Sequence, residues 1–146
     1  DFPMLDPKNI DKLVDFHKNN NFDIIVPSSP LFDGSSKDVV KLIVNKSNKV
    51  LYFSRAPVPY SYNLKPKFYL KHMSIISFNR SSLIKYSNLK QSYYEKIEGV
   101  ELLRAIENNI NVGSFEISKD IFSVDIKKDY LKALSLMPLD PIRKKY

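Results

Sequence analysis

Cysteine is absent from the 146 residues, which excludes disulfides and thiolate zinc sites and makes the cytoplasm the default compartment. Glycine is scarce, at Gly34, Gly99 and Gly113 only, and none of the three stands in a phosphate-loop pattern. Arginine is nearly as rare. Arg55, Arg80, Arg104 and Arg143 are all there is, the lysines are scattered, and the basic run is confined to Arg143-Lys144-Lys145. A nucleic-acid reader concentrates arginine and interleaves aromatics, so this pattern argues against one despite a net charge of +7. No apolar run approaches the ~18 residues a membrane helix needs, and residues 1–15 lack the basic and apolar regions of a signal peptide. Internal repeats and low-complexity segments are also missing.

What is present suits one packed domain. Hydrophobic residues make up 43% of the chain, and the length fits a single core. The basic balance fits an anionic partner such as a phosphorylated metabolite.

Asp6-Pro7 reads as a helix start, with Ile10, Leu13, Val14 and His17 on one face and Asn19 to Asn21 as the stop. No function is assigned to His17. Asp23 to Val26 reads as a short buried strand ended by Pro27, and residues 27–37 as a loop. Val39–Val44 and Val50–Phe53 form a predicted hairpin around the polar turn Asn45 to Lys49. Pro57, Pro59 and Pro66 forbid regular structure between Arg55 and Lys67. Phe68–Phe78 reads as one strand and Ser81–Tyr86 as a short helix. Glu98–Asn108 reads as an amphipathic helix, with Val100, Leu103 and Ile106 inward and Glu98, Glu101 and Glu107 elsewhere on its surface. Ile110–Ile117 and Phe122–Val124 read as strands, and Lys127–Leu136 as the last helix. The order predicts an α/β chain with a mixed sheet.

Val50-Leu51-Tyr52-Phe53-Ser54-Arg55-Ala56-Pro57-Val58-Pro59-Tyr60 resembles the "ALYFSR-x-x-IP-[YW]" signature of the 3-deoxy-manno-octulosonate cytidylyltransferases, the CMP-Kdo synthetases. Other blocks match in the same order. Asp1-Phe2-Pro3 resembles the end of "QGDEP", Val39-Val40-Lys41 resembles "N-x-V-K", and Lys71-His72-Met73-Ser74-Ile75 resembles "KHIGI". Glu98 to Asn108 resembles "E-x-LEQLRALEN", and Ser123-Val124-Asp125 resembles "GVD". The resemblance covers residues 1 to about 133.

The resemblance implies a mixed-sheet, Rossmann-like nucleotide-diphospho-sugar transferase fold, incomplete at its N-terminus, with residues 1–146 the C-terminal portion of a single domain. It implies transfer of CMP from CTP to an acidic eight-carbon sugar such as Kdo, with release of pyrophosphate, as in lipopolysaccharide biosynthesis. Magnesium would be held by Asp1 and Asp125; otherwise these are capping or surface aspartates. Arg55 would act as a catalytic and substrate-binding clamp on a carboxylate or phosphate; otherwise it makes a surface salt bridge. His72 and Glu101 would bind sugar hydroxyls; otherwise they are a core histidine and a solvated helix residue. A homodimer built on residues 50–78 is expected.

Three positions depart from the pattern: Leu102 replaces a glutamine, Ile76 a tyrosine, and Ser74 a glycine. The first two touch sugar in the family. The family's arginine- and lysine-rich turn "R-x-x-S-x-RLPGKPL" has no counterpart here, and the chain opens on Asp1 without an initiator methionine. A fragment inactive on its own is therefore the expectation. The alternatives are a cytidylyltransferase for a different acidic sugar, such as an 8-amino-Kdo or nonulosonate type, and a non-catalytic α/β binding module.

Overall fold

The computed structural model describes residues 3–117, 124, 127–140 and 142. Helix α1 (Pro7–Asn19) starts where Asp6 accepts a hydrogen bond from the Lys8 N–H at 3.0 Å, with proline at the first helical position. Leu13 is its buried residue, while Ile10 and Val14 stay partly exposed. His17 is held between the Ser77 hydroxyl (2.6 Å) and the Phe22 carbonyl (3.0 Å), which fixes the end of α1 against the sheet.

The strands are β1 (Ile24–Leu31), β2 (Lys41–Val44), β3 (Val50–Ser54), β4 (Tyr69–His72), β5 (Ser77–Phe78) and β6 (Val112–Glu116). They form one mixed sheet in the order β3-β2-β4-β1-β5, with β6 pairing β1 in parallel and the other pairs antiparallel. The hairpin turn lies where it was expected. The Asn45 side chain accepts from the N–H groups of Ser47 and Lys49, both at 2.9 Å, and Asn48 takes a positive φ.

Pro27 does not end β1, contrary to the sequence expectation. Ile24 donates to Asn111 at one end and Ser28 accepts from Ile117 at the other, so even-numbered residues of β1 turn their backbone groups toward β6. Pro27 therefore faces the opposite side. There β4 and β5 pair with successive halves of β1, and residues 73–76 bulge out between them. The missing proline N–H falls in that gap, while its carbonyl still accepts from Met73 at 3.0 Å. The same bulge splits the single strand expected over Phe68–Phe78.

Helix α2 (Arg80–Ser87) is capped by Asn79, which accepts from the Ser82 N–H at 2.9 Å. Asp23 accepts from the Ser82 hydroxyl (2.6 Å) and the Asn111 N–H (2.9 Å), and these bonds, the Ser82 one foremost, hold its carboxyl below the usual range. Of the helix expected over Glu98–Asn108, only α4 (Leu103–Glu107) forms, and a separate helix α3 (Tyr93–Glu98) precedes it and ends at Glu98. Gly99, at φ 61°, takes the left-handed conformation that closes α3, a backbone state a side chain strains. Gly113 is needed for a different reason: a Cβ there would lie 2.5 Å from the Phe22 ring.

Helix α5 (Lys127–Leu136) runs into a 3-10 turn at Met137–Leu139. The strand expected at Phe122–Val124 falls largely outside the described residues.

The core gathers Ile24, Val26, Leu42, Val50, Phe53, Val100, Leu102, Leu103, Ala105, Ile110 and Val112 between the sheet and the α3–α4 segment. Burying such side chains is worth roughly 1.5–3 kcal/mol each against exposure, which is what fixes α4 on the strands. Leu102 belongs to this core and is 3% exposed.

Candidate functional site

The C-terminal ends of β3 and β4 meet the turn between α3 and α4 around a cavity of about 290 Å³. Arg55, His72 and Glu101, drawn from three separate sequence blocks, all line it, with Asp38, Lys71, Ser74 and Gly99. The volume lies near the lower end of small-molecule pockets. Two cations, two carboxylates and an imidazole converge there, a donor and acceptor set suited to a polyhydroxylated acid.

His72 comes from the last position of β4. Its N–H donates to Val40 at 2.9 Å, and its ring stands edge-on to Phe53 with centroids 5.3 Å apart. Nε2 is sealed from solvent and has no protein partner among the described residues. Burial pushes the ring pKa down to about 4, so the imidazole is neutral at pH 7. His72 lines the cavity, and an unpaired buried nitrogen of this kind is costly to the fold.

Arg55 is more committed than a free clamp. Nε donates to Glu98 O (2.8 Å), Nη1 to Lys37 O (3.0 Å) and Asp38 O (3.3 Å), and Nη2 to Gly99 O (3.3 Å). A guanidinium has five N–H donors, so a bidentate grip on a carboxylate requires it to release at least one of these carbonyls. In this arrangement Arg55 ties the 37–38 loop to the start of the α3–α4 turn.

Glu98 was expected on the helix surface. Its carboxylate instead turns inward and accepts from the Ser54 hydroxyl and the Arg55 N–H, both at 2.7 Å. The end of β3 is thereby fixed to the end of α3. Glu101 is exposed on the rim, and its carbonyl accepts from the Tyr86 hydroxyl at 2.9 Å.

The turn bearing Glu101 is braced from behind. Glu95 and Arg104 form a two-point ion pair, Nε to Oε2 at 2.8 Å and Nη2 to Oε1. Arg104 also donates to Leu89 O at 3.2 Å and lies 5.2 Å from the Tyr86 ring centroid. Hydrogen bonding from Arg104, the largest cause, holds the Glu95 carboxyl below the usual range.

Asp1 and Asp125 both lie outside the described residues. Among the described residues there is no group of three or more His, Cys, Asp or Glu side chains placed to hold a metal. Likewise, no described helix is long and apolar enough to cross a membrane.

A family model described as cytidylyltransferase matches residues 1–121. The chain belongs to the cytidylyltransferase family. It is 33% identical over 136 residues to the 3-deoxy-manno-octulosonate cytidylyltransferase of Rickettsia prowazekii (strain Madrid E), covering 92% of this chain and 54% of that protein. The corresponding protein of Rickettsia canadensis (strain McKiel) is 35% identical, with the same coverage. A solved structure of a CMP:2-keto-3-deoxy-manno-octonic acid synthetase complexed with CTP superposes with a TM-score of 0.89 at 30% identity, over 95% of this chain and 59% of that one. The fold is thus the α/β nucleotide-sugar transferase fold. The chain spans about half the length of the curated relatives it matches.

Sequence reasoning missed Lys41 and Glu98, which hold the segments that border this cavity. Lysine reads as surface, yet Lys41 is fully buried at the start of β2, with its ammonium among main-chain carbonyls. The available signal was its place in Val39-Val40-Lys41, next to apolar neighbours and before a hairpin.

Proposed function

We propose that the cavity binds the acidic sugar of a CMP-sugar synthesis: CTP and a Kdo-like sugar give CMP-sugar and pyrophosphate. The observation that carries this reading is the convergence of Arg55, His72 and Glu101 on one cavity in a cytidylyltransferase fold. In the reaction the anomeric hydroxyl forms a bond to the α-phosphorus of CTP, the α–β phosphoanhydride breaks, pyrophosphate leaves, and the hydroxyl proton passes to solvent or base. Catalysis of such a transfer is chiefly positioning and charge neutralisation. The cavity residues supply the positioning. Arg55 and Lys71 set a positive field for the sugar carboxylate, His72 Nε2 meets a hydroxyl, and Glu101 and Asp38 accept from others.

Magnesium, held through Asp1 and Asp125, belongs to the same proposal. It rests on the motif resemblance, and when bound it would neutralise phosphate charge.

Leu102 and Ile76 favour a second reading, a sugar related to Kdo rather than Kdo itself. Leu102 is packed in the core and Ile76 is apolar and 39% exposed, so neither offers the hydrogen bond of a glutamine or tyrosine. Isothermal titration with Kdo, 8-amino-Kdo and N-acetylneuraminate decides between them. One acidic sugar is expected to bind, and His72→Ala is expected to weaken it about tenfold, the value of one hydrogen bond to a buried group. Absence of binding by all three at millimolar concentration would sink the proposed ligand class.

A homodimer is proposed on the face formed by residues 50–78. Tyr60, Tyr62 and Leu64 are each more than 80% exposed, and Phe32 lies beside the same loop, lining a cleft with Pro57, Ser61 and Pro66. Exposed aromatic and proline side chains are the composition of an interface centre, with Asp33 the acidic residue that lines this cleft. Light scattering at micromolar concentration is expected to give twice the 17.0 kDa chain mass; a monomer throughout would refute it.

A further inference from the structure

Four consecutive main-chain carbonyls, in the segment that leads onto one wall of the cavity, are each held by a cation. Lys41 Nζ donates to Ser36 O and Val39 O, both at 2.7 Å. Arg55 Nη1 takes the two carbonyls between them, Lys37 O and Asp38 O. The third ammonium donor of Lys41 goes to the carbonyl of Arg55, so the two cations are themselves joined. Residues 36–39 have no helix or strand pairing, and Asp38 and Val39 line the cavity.

The position of Lys41 makes this arrangement informative. It is 0% exposed, on the buried half of β2 beside Leu42. An apolar side chain would serve the hairpin equally well there, since burying an ammonium costs several kcal/mol unless its donors are satisfied. Here three carbonyls satisfy all three. What the charge adds is control of where residues 36–39 sit. Residues 36–38 are exposed and carry no ladder, so without the two cations water takes their carbonyls and nothing holds the segment in this position.

Building on the sugar-binding reading above, we propose that Lys41 is a positioning residue of the cavity: with Arg55 it fixes residues 36–39 as the wall against which the acidic sugar is held. Lys41 does not touch the sugar. It acts through Val39, Asp38 and the backbone of Arg55. Burial lowers its pKa and the nearby Arg55 charge lowers it further, while the Glu98 carboxylate acts in the opposite direction.

The test uses the 146-residue chain with Kdo as probe. Lys41→Met keeps length and removes the charge. Amide hydrogen exchange of Lys37 to Val40 is expected to quicken at least tenfold, while the β1 and β6 amides keep their protection. The Kdo dissociation constant is expected to rise at least tenfold. Lys41→Arg, which keeps charge and donors, should fall between Met and wild type in both, a rescue that loss of packing alone would not give. Unchanged exchange at 37–40 in folded Lys41→Met overturns the proposal, whatever Kdo does. Faster exchange with no Kdo binding by the wild type keeps the wall and sinks the proposed ligand. Faster exchange with unchanged Kdo affinity overturns the positioning role. If Lys41→Met does not fold, Lys41→Arg carries the same comparisons against wild type: a twofold or larger change in both exchange and Kdo affinity supports the proposal, and no change in either overturns it.

Discussion

Arg104→Ala is expected to lower folding stability by about 3 kcal/mol, the low end of the cost of breaking a buried ion pair. The low end applies because Arg104 is 20% exposed, although Glu95 is 2% exposed. Truncation leaves both Glu95 oxygens without their guanidinium partner, in a site where the carboxylate retains the Ser92 N–H at 3.0 Å. It also strips the cation from the Tyr86 ring and a donor from Leu89 O. The damage reaches the cavity, because α3 and α4 flank the turn that carries Gly99 and Glu101. Urea denaturation monitored by circular dichroism checks the value. A loss under 1 kcal/mol would show that the pair adds little beyond the apolar packing of Val100, Leu102 and Leu103. The double variant Glu95→Gln, Arg104→Met is expected to recover part of the loss, since removing both charges leaves neither uncompensated.

Much of the fold was legible because it follows local chemistry. Asp6-Pro7 starts a helix, Asn45 to Lys49 turns a hairpin, and Lys127–Leu136 is helical as its pattern predicts. The errors share a cause, which is that local signals were judged without the neighbour that decides them. Pro27 breaks a strand only if its missing N–H faces a paired edge, and here it faces the bulge at residues 73–76. Helix α3 was missed, although Ser92-x-x-Glu95 carries the S-x-x-E spacing of a helix start. Gly99 reads as an ordinary residue inside a helical pattern until its left-handed φ is seen.

The candidate site divides in the same way. Arg55, His72 and Glu101 were found through motif order, and one cavity holds all three. Lys41 and Glu98 were hidden because charge normally marks the surface. Only the fold shows that β2 buries its first residue, and that α3 ends with its last carboxylate pointed at β3.

His72 gives the second large effect, an acid-dependent loss of stability. Its pKa is about 4 in the fold, against 6.5 in an unfolded chain. Between those values the unfolded state binds the proton and the folded state does not, so stability falls as pH drops through this window and is constant above it. At about 1.4 kcal/mol per pH unit, the interval from pH 6.5 to 4 removes about 3 kcal/mol. Charged groups of both signs line the same cavity. Arg55, Lys71, Asp38 and Glu101 are two charges of each sign, and the cause of the shift is burial. Asp23 and Glu95, with lowered pKa values of their own, add acid sensitivity at lower pH, where carboxylates protonate. The contribution of His72 is isolated by difference. His72→Phe keeps an aromatic ring against Phe53 and removes the buried, unpartnered Nε2. The variant is expected to match or exceed wild-type stability at pH 7.5, and to lack the loss between pH 6.5 and 4. Denaturant midpoints at half-unit steps of pH read this directly. Parallel curves for the two proteins across that range would mean that His72 titrates normally in the fold, and that its ring nitrogen is not the sealed, unpaired group a sugar hydroxyl could complete.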